Sequence, residues 1–289
     1  MRRTVISLLR DHFKEIRELR QEVQALRENS ASCYLGNDTV LTQVRGFKMV
    51  CPSDDMGGTP HLILDGNWEL AVTQIFESCI QPGMTVLDIG ANIGYFTLHA
   101  ARSVGADGKV YAFEPEPRNL WYLRHNLMLN GHHWAEVVDK ALWKEAGTMT
   151  MRTLEDYCGG HTIVGVDPTQ LEEDQMVEVP TITLDEFLGD NKKVDVIKMD
   201  AEGAEPFILE GMKETLEANP SIKILMEFAP EFITGAGLDY HEYLKGIEAM
   251  GFSIGLIDWD VQIKPIDLDK LDEFLPTRIW PQMLMLSRG

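Results

Sequence analysis

Two hydrophobic patterns alternate in the larger, C-terminal part of this chain. From Met84 onward, short runs of β-branched and aliphatic residues are followed by amphipathic segments, such as Tyr95 to Val104 and about Pro117–Asn130. Strand patterns that alternate with helix patterns predict βαβ units and a parallel sheet. The predicted strands of this sheet are Thr85–Asp88, Val110–Glu114, Glu136–Lys140, Val194–Met199 and Ile222–Met226.

Two further apolar runs, Phe252–Ile257 and Gln282–Ser287, are separated by a polar stretch. They predict an antiparallel hairpin that closes the edge of the sheet. The fold class over residues 83–289 is therefore α/β, with a Rossmann-like and mostly parallel sheet that ends in a C-terminal antiparallel hairpin.

Residues 33–82 predict a small β/α subdomain that precedes this sheet. Thr39–Val44 and Phe47–Val50 flank Arg45-Gly46, which is a hairpin-type break. A loop rich in Gly, Asp and Ser follows from Pro52 to Pro60, and Asn67–Ile80 has helical spacing. We interpret this region as a lid over the larger domain.

Residues 1–30 predict a helix with a heptad repeat. Positions at alternating steps of four and three are occupied by Val5, Leu9, His12, Ile16, Leu19, Val23 and Leu26. β-Branched residues at a with Leu at d favour two parallel strands, and Glu15 would face Arg20 of a partner helix. We therefore predict a homodimer through a parallel coiled coil. The alternative is an amphipathic helix that lies on its own domain. His12 favours this alternative, because a polar residue at a d position weakens the apolar contact between paired helices.

Composition narrows the function classes. The chain has 289 residues and a formal net charge of −20, which argues against a nucleic-acid-binding surface. Its four cysteines are scattered without a C-x-x-C pair, so neither a zinc site nor a disulfide framework is indicated. No apolar run has the length of a transmembrane segment, and the N-terminus is too charged for a signal peptide. We expect a cytoplasmic protein.

The first predicted strand leads into the turn D-I-G-A-N-I-G-Y. Asp88, Gly90, Asn92 and Gly94 follow at two-residue spacing, and Tyr95 opens the next helix. Strand, glycine-rich turn and helix together bring backbone N–H groups up to a ligand. A carboxylate before the first glycine would repel a pyrophosphate but attract an ammonium or sulfonium group. S-Adenosylmethionine carries both cations, a ribose and no phosphate. The alternative is an ordinary strand–turn–helix corner.

Three residues at the ends of the next two strands complete the predicted cofactor site. Glu114 ends the second strand, where a mononucleotide fold holds the ribose hydroxyls. Asp139 and Ala141 follow the third strand, where an adenine edge would be recognised. For Asp139, a solvated turn residue is an equally good interpretation.

Acidic residues gather where the fourth and fifth strands end. Asp200 follows the fourth strand, Glu202 comes two residues later, and Glu227 ends the fifth. Carboxylates in a cleft raise one another's pKa, which suits a general base near neutral pH. We expect Asp200 or Glu227 to be the base, supported by Glu202. Glu205 is better explained by the N-terminus of the following helix.

Two other assignments stay open at this site. Oxygen-only ligands suit Mg²⁺ or Ca²⁺, so the acids could instead bind a divalent cation; we favour a site without metal. His161, beside Gly159-Gly160, is the histidine of a loop that could reach the cleft, and it is an alternative base or a solvated surface residue.

Several motifs together resemble the FkbM family of methyltransferases, over about residues 81–228. They are Asp88–Tyr95, Tyr111–Pro115, Asn126, Asn130, Ala141-Leu142, Thr183–Asp185, Ile197–Glu205, Leu209–Gly211 and Glu227, with Asn92 where many class I methyltransferases have Gly. The resemblance implies a class I methyltransferase fold, S-adenosylmethionine as the donor, and transfer to an oxygen. It also implies a hydroxyl acceptor on a sugar, glycan or glycolipid, or on a polyketide-type small molecule.

Two hypotheses from other classes were weighed against this one. An NAD-type Rossmann oxidoreductase is disfavoured by the D-x-G-x-N-x-G spacing and by the lack of a Tyr-x-x-x-Lys signature. A non-catalytic coiled-coil adaptor with a degenerate nucleotide-binding domain is disfavoured by the intact acids at Asp88 and Glu114.

Overall fold

The computed structural model describes residues 32–271 and 281–288. Contacts divide the chain into two compact units, residues 1–68 and 69–289. The predicted coiled coil of residues 1–30 lies outside the described residues.

The first unit, where it is described, contains an antiparallel sheet and one short helix. Strands β1 (Cys33–Gly36), β2 (Thr39–Val44) and β3 (Phe47–Pro52) pair in chain order. Arg45 and Gly46 both have positive φ, 47° and 87°, which is the geometry of a two-residue hairpin turn. The predicted hairpin is confirmed.

Helix α1 (Gly58–Leu64) corrects our prediction of a loop to Pro60. Asp55 explains its position, because its carboxylate accepts the N–H groups of Gly57 and Thr59 at 3.2 and 2.7 Å. These bonds satisfy donors that a helix start otherwise leaves without partners.

The second unit contains two sheets and most of the helices. Its strands are β4 (Thr85–Ile89), β5 (Lys109–Phe113), β6 (Ala135–Val138), β7 (Ala141–Leu142), β8 (Gly147–Arg152), β9 (Met176–Ile182), β10 (Val196–Met199), β11 (Lys223–Phe228), β12 (Ser253–Asp258), β13 (Gln262–Pro265) and β14 (Gln282–Ser287). Its α-helices are α2 (Leu70–Cys79), α3 (Tyr95–Val104), α4 (Pro117–Leu129), α5 (Leu184–Leu188), α6 (Glu205–Glu210), α7 (Lys213–Ala218), α8 (Pro230–Gly235) and α9 (Tyr240–Ala249).

The central sheet has eight strands in the order β13-β12-β14-β11-β10-β4-β5-β6. Strands β6, β5, β4, β10 and β11 are parallel, while β14 pairs antiparallel with both β11 and β12. After β4, β5 and β6, the chain returns to the other side of β4 to form β10, which reverses the direction in which strands are added, as in doubly wound nucleotide-binding folds. The predicted fold class is confirmed, including the antiparallel C-terminal strands.

Several strands were absent from our prediction, among them β13 and β9. Edge strand β13 is exposed at every residue, so its sequence lacks the apolar alternation that marks a half-buried strand. Strand β9 lies in a second, three-stranded sheet with β7 and β8. It contains Pro180 and the exposed acidic residue Glu178, which obscure the strand pattern.

Helix α2 begins three residues later than the predicted start at Asn67. Glu69 takes a left-handed φ of 44°, and its carbonyl accepts the N–H of Thr73 at 2.9 Å. The helix belongs to the second unit, because Phe76 packs edge-on against Phe96 of α3 with ring centroids 5.6 Å apart. We had grouped this helix with residues 33–66 because it follows them in the chain, but its contacts place it in the second unit.

Strands β4, β10 and β11 form the centre of the core, with Leu87, Ile197 and Ile224 fully buried. Among the described residues, no helix is both long and apolar enough to cross a membrane.

Candidate functional site

The turn after β4 is held in left-handed conformations at its three predicted positions. Gly90, Asn92 and Gly94 have φ of 75°, 50° and 94°. A Cβ on Gly90 would lie 1.8 Å from the carbonyl oxygen of Asp200, and one on Gly94 would lie 2.7 Å from Leu123 Cδ1. We expected the glycines to admit a ligand, but the space that each side chain would need is filled by the protein itself.

Glu114 connects this turn to β5. Its Oε2 accepts the N–H of Asn92 at 2.7 Å, and its Oε1 accepts the N–H of Glu116 at 2.9 Å. Burial raises the pKa of Glu114 to about 7, although the two N–H groups act in the opposite direction. The structure thus places Glu114 at the end of β5, as the sequence predicted, and in contact with Asn92 of the turn after β4.

Asp88 and Tyr95 lie beneath the turn. Asp88 is fully buried; Thr97 Oγ1 donates to its Oδ2 at 2.5 Å, while its Oδ1 has no hydrogen-bond partner among the described residues. Burial raises the pKa of Asp88, and the positive charge of Lys198 opposes that shift. Tyr95 is also buried, with its hydroxyl 3.2 Å from Thr73 Oγ1.

The two predicted adenine contacts lie at different depths. Asp139 has a side chain 62% exposed and forms an ion pair with Arg124 at 3.2 Å. Ala141 is buried at the start of β7. Asp139 is therefore placed like a solvated turn residue, which is the alternative that the sequence left open.

Asp200, Glu202 and Glu227 come together at the carboxyl edge of the sheet. Met199 of β10 pairs with Met226 of β11, so the register places the next residues, Asp200 and Glu227, side by side. One carboxylate oxygen from each of the three acids lies within 4.8 Å of the others. The predicted acid cluster is thus present as a single constellation.

Glu202 reaches the cluster from a strained backbone. Its φ is 52°, in the left-handed region, and its carbonyl accepts a hydrogen bond from Thr162 Oγ1 at 2.9 Å. A non-glycine residue in this region costs on the order of 1 kcal/mol or more and persists where the surroundings enforce it. Such strain is concentrated at functional sites.

The environment of Glu202 and Glu227 favours the protonated forms of these two acids. Burial, and then the charges of Asp200 and Glu205, raise the pKa of Glu202 to about 9. Burial, and then Asp200 and Glu202, raise the pKa of Glu227 well above its usual value. Burial also raises the pKa of Glu205, to about 7, although the N–H of Ala201, which donates to its Oε1 at 2.7 Å just before α6, acts in the opposite direction. Glu205 is placed as the helix-terminus residue that we predicted.

Two residues of the site were missed by the sequence analysis. Lys198 is 3% exposed; its Nζ lies 2.7 Å from Asp200 Oδ2 and 4.6 Å from the centre of the Phe96 ring. Burial alone would lower the pKa of Lys198, but Asp200, Asp88 and Glu69 together raise it, so the amine stays charged. A lysine inside an apolar strand, I-K-M, was the signal that could have revealed it.

Glu69 gave no such signal, because it falls within a predicted helix. Burial, and then the charge of Asp200, raise the pKa of Glu69 to about 7. Its Oε2 is buried and, among residues 32–271 and 281–288, has no hydrogen-bond partner. Glu69 therefore adds another acid to the surroundings of Asp200.

His161 lies on the loop that holds the Glu202 carbonyl. Its Nδ1 accepts the N–H of Leu154 at 3.1 Å. In the neutral ring Nε2 then carries the proton, so neither nitrogen is free to act as a base without breaking this bond. This geometry favours the acids over His161.

Comparisons with known proteins agree with this architecture. Residues 88–254 match the family model described as the methyltransferase FkbM domain. Methyltransferase 1 of Beauveria bassiana is 27% identical over 146 residues, and methyltransferase sdnD of Sordaria araneosa is 29% identical over 157 residues. Each match covers 45% of this chain and 58% or 60% of the relative, so the chain spans less than two thirds of these relatives.

A solved structure gives a more distant likeness. The S-adenosylmethionine-dependent O-methyltransferase from Thermotoga maritima has a TM-score of 0.44 and 12% identity, and the match covers 86% of this chain and 77% of that one.

Proposed function

Because this chain belongs to the FkbM methyltransferase family, whose methyl donor is S-adenosylmethionine, we propose that it methylates a hydroxyl group, most simply that of a sugar, glycan or glycolipid intermediate. The observation that carries the proposal is the acid cluster of Asp200, Glu202 and Glu227. It lies at the edge of the sheet where open α/β folds bind ligands, next to the turn after β4.

The residues around that turn fit the donor. Each oxygen of Glu114 accepts one backbone N–H, so each retains a lone pair that can accept a ribose hydroxyl. Asp88 adds a buried acceptor oxygen that lacks a donor among the described residues. Acidic groups in both places suit a ligand that carries a ribose and positive charge.

On the acceptor side, the chain must remove a proton. When bound, S-adenosylmethionine would supply its sulfonium methyl group to the acceptor oxygen, and the electron pair of the broken carbon–sulfur bond would stay on sulfur. The hydroxyl proton passes to a carboxylate, Asp200 or Glu227, in its ionised form. Burial and the neighbouring acids raise the pKa of Glu227, and a general base is most effective when its pKa lies near the working pH. Glu202 would orient the acceptor by forming hydrogen bonds with the acceptor's hydroxyl groups.

The test is a methylation assay on the purified full-length protein. It is supplied with S-adenosylmethionine and a panel of free sugars, sugar nucleotides, oligosaccharides and hydroxylated polyketide-type compounds. Release of S-adenosylhomocysteine and the mass gain of one methyl group are measured. We expect methylation of a saccharide hydroxyl. Methylation of the polyketide-type compounds alone would refute the saccharide assignment, and methyl transfer only to nitrogen or carbon would refute transfer to oxygen.

The assignment of the base is tested with conservative variants. Glu227→Gln and Asp200→Asn should each be measured for kcat and for S-adenosylhomocysteine affinity. We expect the variant that removes the base to lose about 10²–10⁴-fold in kcat, with little change in cofactor affinity. Glu248→Gln, which changes an exposed acid, is the control. Unchanged kcat in both cluster variants would rule out these two acids.

Dimerisation is a separate part of the proposal. The heptad pattern of residues 1–30 supports a parallel pair of helices. Light scattering should then show a dimer for the full chain and a monomer after deletion of residues 1–30. A truncated protein that stays dimeric would refute the assignment.

A further inference from the structure

We propose that Asp200, Glu202 and Glu227 bind one hard divalent cation, of the Mg²⁺, Mn²⁺ or Ca²⁺ class. One oxygen of each carboxylate lies within 4.8 Å of the others. Two oxygens on opposite sides of Ca²⁺ are about 4.6–5.2 Å apart, and on opposite sides of Mg²⁺ about 4.0–4.2 Å apart. A single ion therefore fits between these oxygens with small side-chain movements.

The backbone fixes the three acids independently of any ion. Asp200 and Glu227 follow paired residues of adjacent parallel strands, Met199 and Met226, and strands in a sheet lie about 4.8 Å apart. Glu202 is held by its left-handed φ of 52° and by the Thr162 hydroxyl on its carbonyl. A cation site needs such preorganisation, because its ligands otherwise repel one another.

Unpartnered oxygens give a second, independent reason. The Glu227 side chain is buried, and its Oε2 has no hydrogen-bond partner within the described parts of the chain. Oε2 of Glu69, whose charge acts on Asp200, is buried and equally lacks a partner there. Buried polar atoms are nearly always hydrogen-bonded, so an unpartnered oxygen points to a ligand or ion.

The local charge balance points the same way. Lys198 contacts Asp200 at 2.7 Å and offsets one negative charge. Its amine is also packed against the Phe96 ring, which fixes its position on one side of Asp200. Lys198 forms its ion pair with Asp200 and not with Glu202 or Glu227, so a divalent cation would offset the charges that these two acids carry when they bind it as carboxylates.

The ion would have a defined task in the reaction. If it takes the acceptor hydroxyl as an additional ligand, it lowers the pKa of that hydroxyl and fixes its orientation. This task rests on the proposed function, whereas binding of the ion does not.

Binding is tested first without cofactor or acceptor. Full-length protein is treated with a chelator, dialysed, and titrated with Mn²⁺ while free Mn²⁺ is followed by electron paramagnetic resonance; Mg²⁺ and Ca²⁺ are added as competitors. We expect one Mn²⁺ per chain, displaced by Mg²⁺ or Ca²⁺. Glu227→Gln and Glu202→Gln should each weaken binding at least tenfold, and Glu248→Gln should leave it unchanged.

Two results would overturn the proposal. One is no binding of Mn²⁺ up to millimolar concentration by the folded wild-type protein. The other is wild-type affinity in both Glu227→Gln and Glu202→Gln, each checked for folding by circular dichroism. Because Glu202 lies outside the strands, its variant keeps the test valid if Glu227→Gln does not fold.

The methylation assay separates this proposal from the proposed function. Mn²⁺ binding that depends on the cluster, in a protein that methylates no hydroxyl, would uphold the site and refute the function. Hydroxyl methylation that continues at full rate in excess chelator, with no Mn²⁺ bound, would uphold the function and refute the site.

Discussion

Gly90→Ala is the substitution that most directly tests how the two halves of the site are joined. The added Cβ would lie 1.8 Å from the carbonyl oxygen of Asp200, about 1.2 Å inside the closest approach that such atoms make. Since that oxygen belongs to the backbone, a side-chain rotation cannot relieve the overlap. The turn after β4 and the end of β10 must separate.

The expected loss of stability combines two effects. Alanine at a φ of 75° costs about 1–2 kcal/mol. Separation of the strands also disturbs the hydrogen bonds from Gly90 N–H to Phe113 O and from Asp200 N–H to Ile89 O, both 3.0 Å long. At about 0.5–1.5 kcal/mol for each bond, plus residual overlap, we expect a total of about 3–5 kcal/mol.

Gly131→Ala is the matched control. Gly131 has a φ of 71°, and a Cβ there would meet no described atom within 4 Å. Urea unfolding should show a loss of about 1–2 kcal/mol for this variant, from the backbone conformation alone. Equal losses in Gly90→Ala and Gly131→Ala would refute the argument that the contact with Asp200 requires glycine.

Two other predictions concern charged groups. Since the pKa of Glu114 is raised to about 7 and its ionised carboxylate would accept the ribose hydroxyls, S-adenosylhomocysteine affinity should increase about tenfold for each unit of increasing pH up to pH 7 and then level off. Calorimetry of Glu114→Gln should give weaker binding that does not depend on pH. A pH dependence equal to that of the wild type would contradict this role. Lys198→Met should lower the free energy of unfolding by about 3–5 kcal/mol, because it leaves Asp200 and Asp88 without their buried cation. The loss should be larger at pH 8 than at pH 5, because Glu69, whose pKa is raised to about 7 and whose charge Lys198 also offsets, is ionised only at the higher pH. The exposed Lys193→Met is the control, and equal losses for the two variants in urea unfolding would refute the effect.

Sequence reasoning located this site because the fold places chemistry at strand ends. Four acids of the site lie within one residue of the carboxyl end of a strand, namely Asp88, Glu114, Asp200 and Glu227. Strand ends are visible in the sequence, since each follows an apolar run. Parallel pairing then brings such ends to one edge of the sheet without further information.

What the sequence did not reveal depends on contacts between distant segments. Glu69 precedes β10 by more than a hundred residues and joins the site only through the packing of its helix on the sheet. The exposed strand β13 was missed for a different reason: all four of its residues are exposed, so its sequence has no hydrophobic pattern that would indicate a strand. The contact of Gly90 with Asp200 was not visible either, because a glycine can accommodate a ligand or another strand, and the sequence alone does not distinguish the two.

The contact between Gly90 and Asp200 has a consequence for catalysis. In the proposed function, Gly90 begins the turn that binds the donor, and Asp200 begins the acid cluster that binds the acceptor. Methyl transfer requires the acceptor oxygen, the methyl carbon and the sulfur to be held in line, and such positioning lowers a barrier by up to about 7–11 kcal/mol. Backbone atoms in direct contact leave little freedom between the two halves. A substitution at Gly90 should therefore lower kcat even where the folded protein still binds the donor, because it moves one half of the site relative to the other.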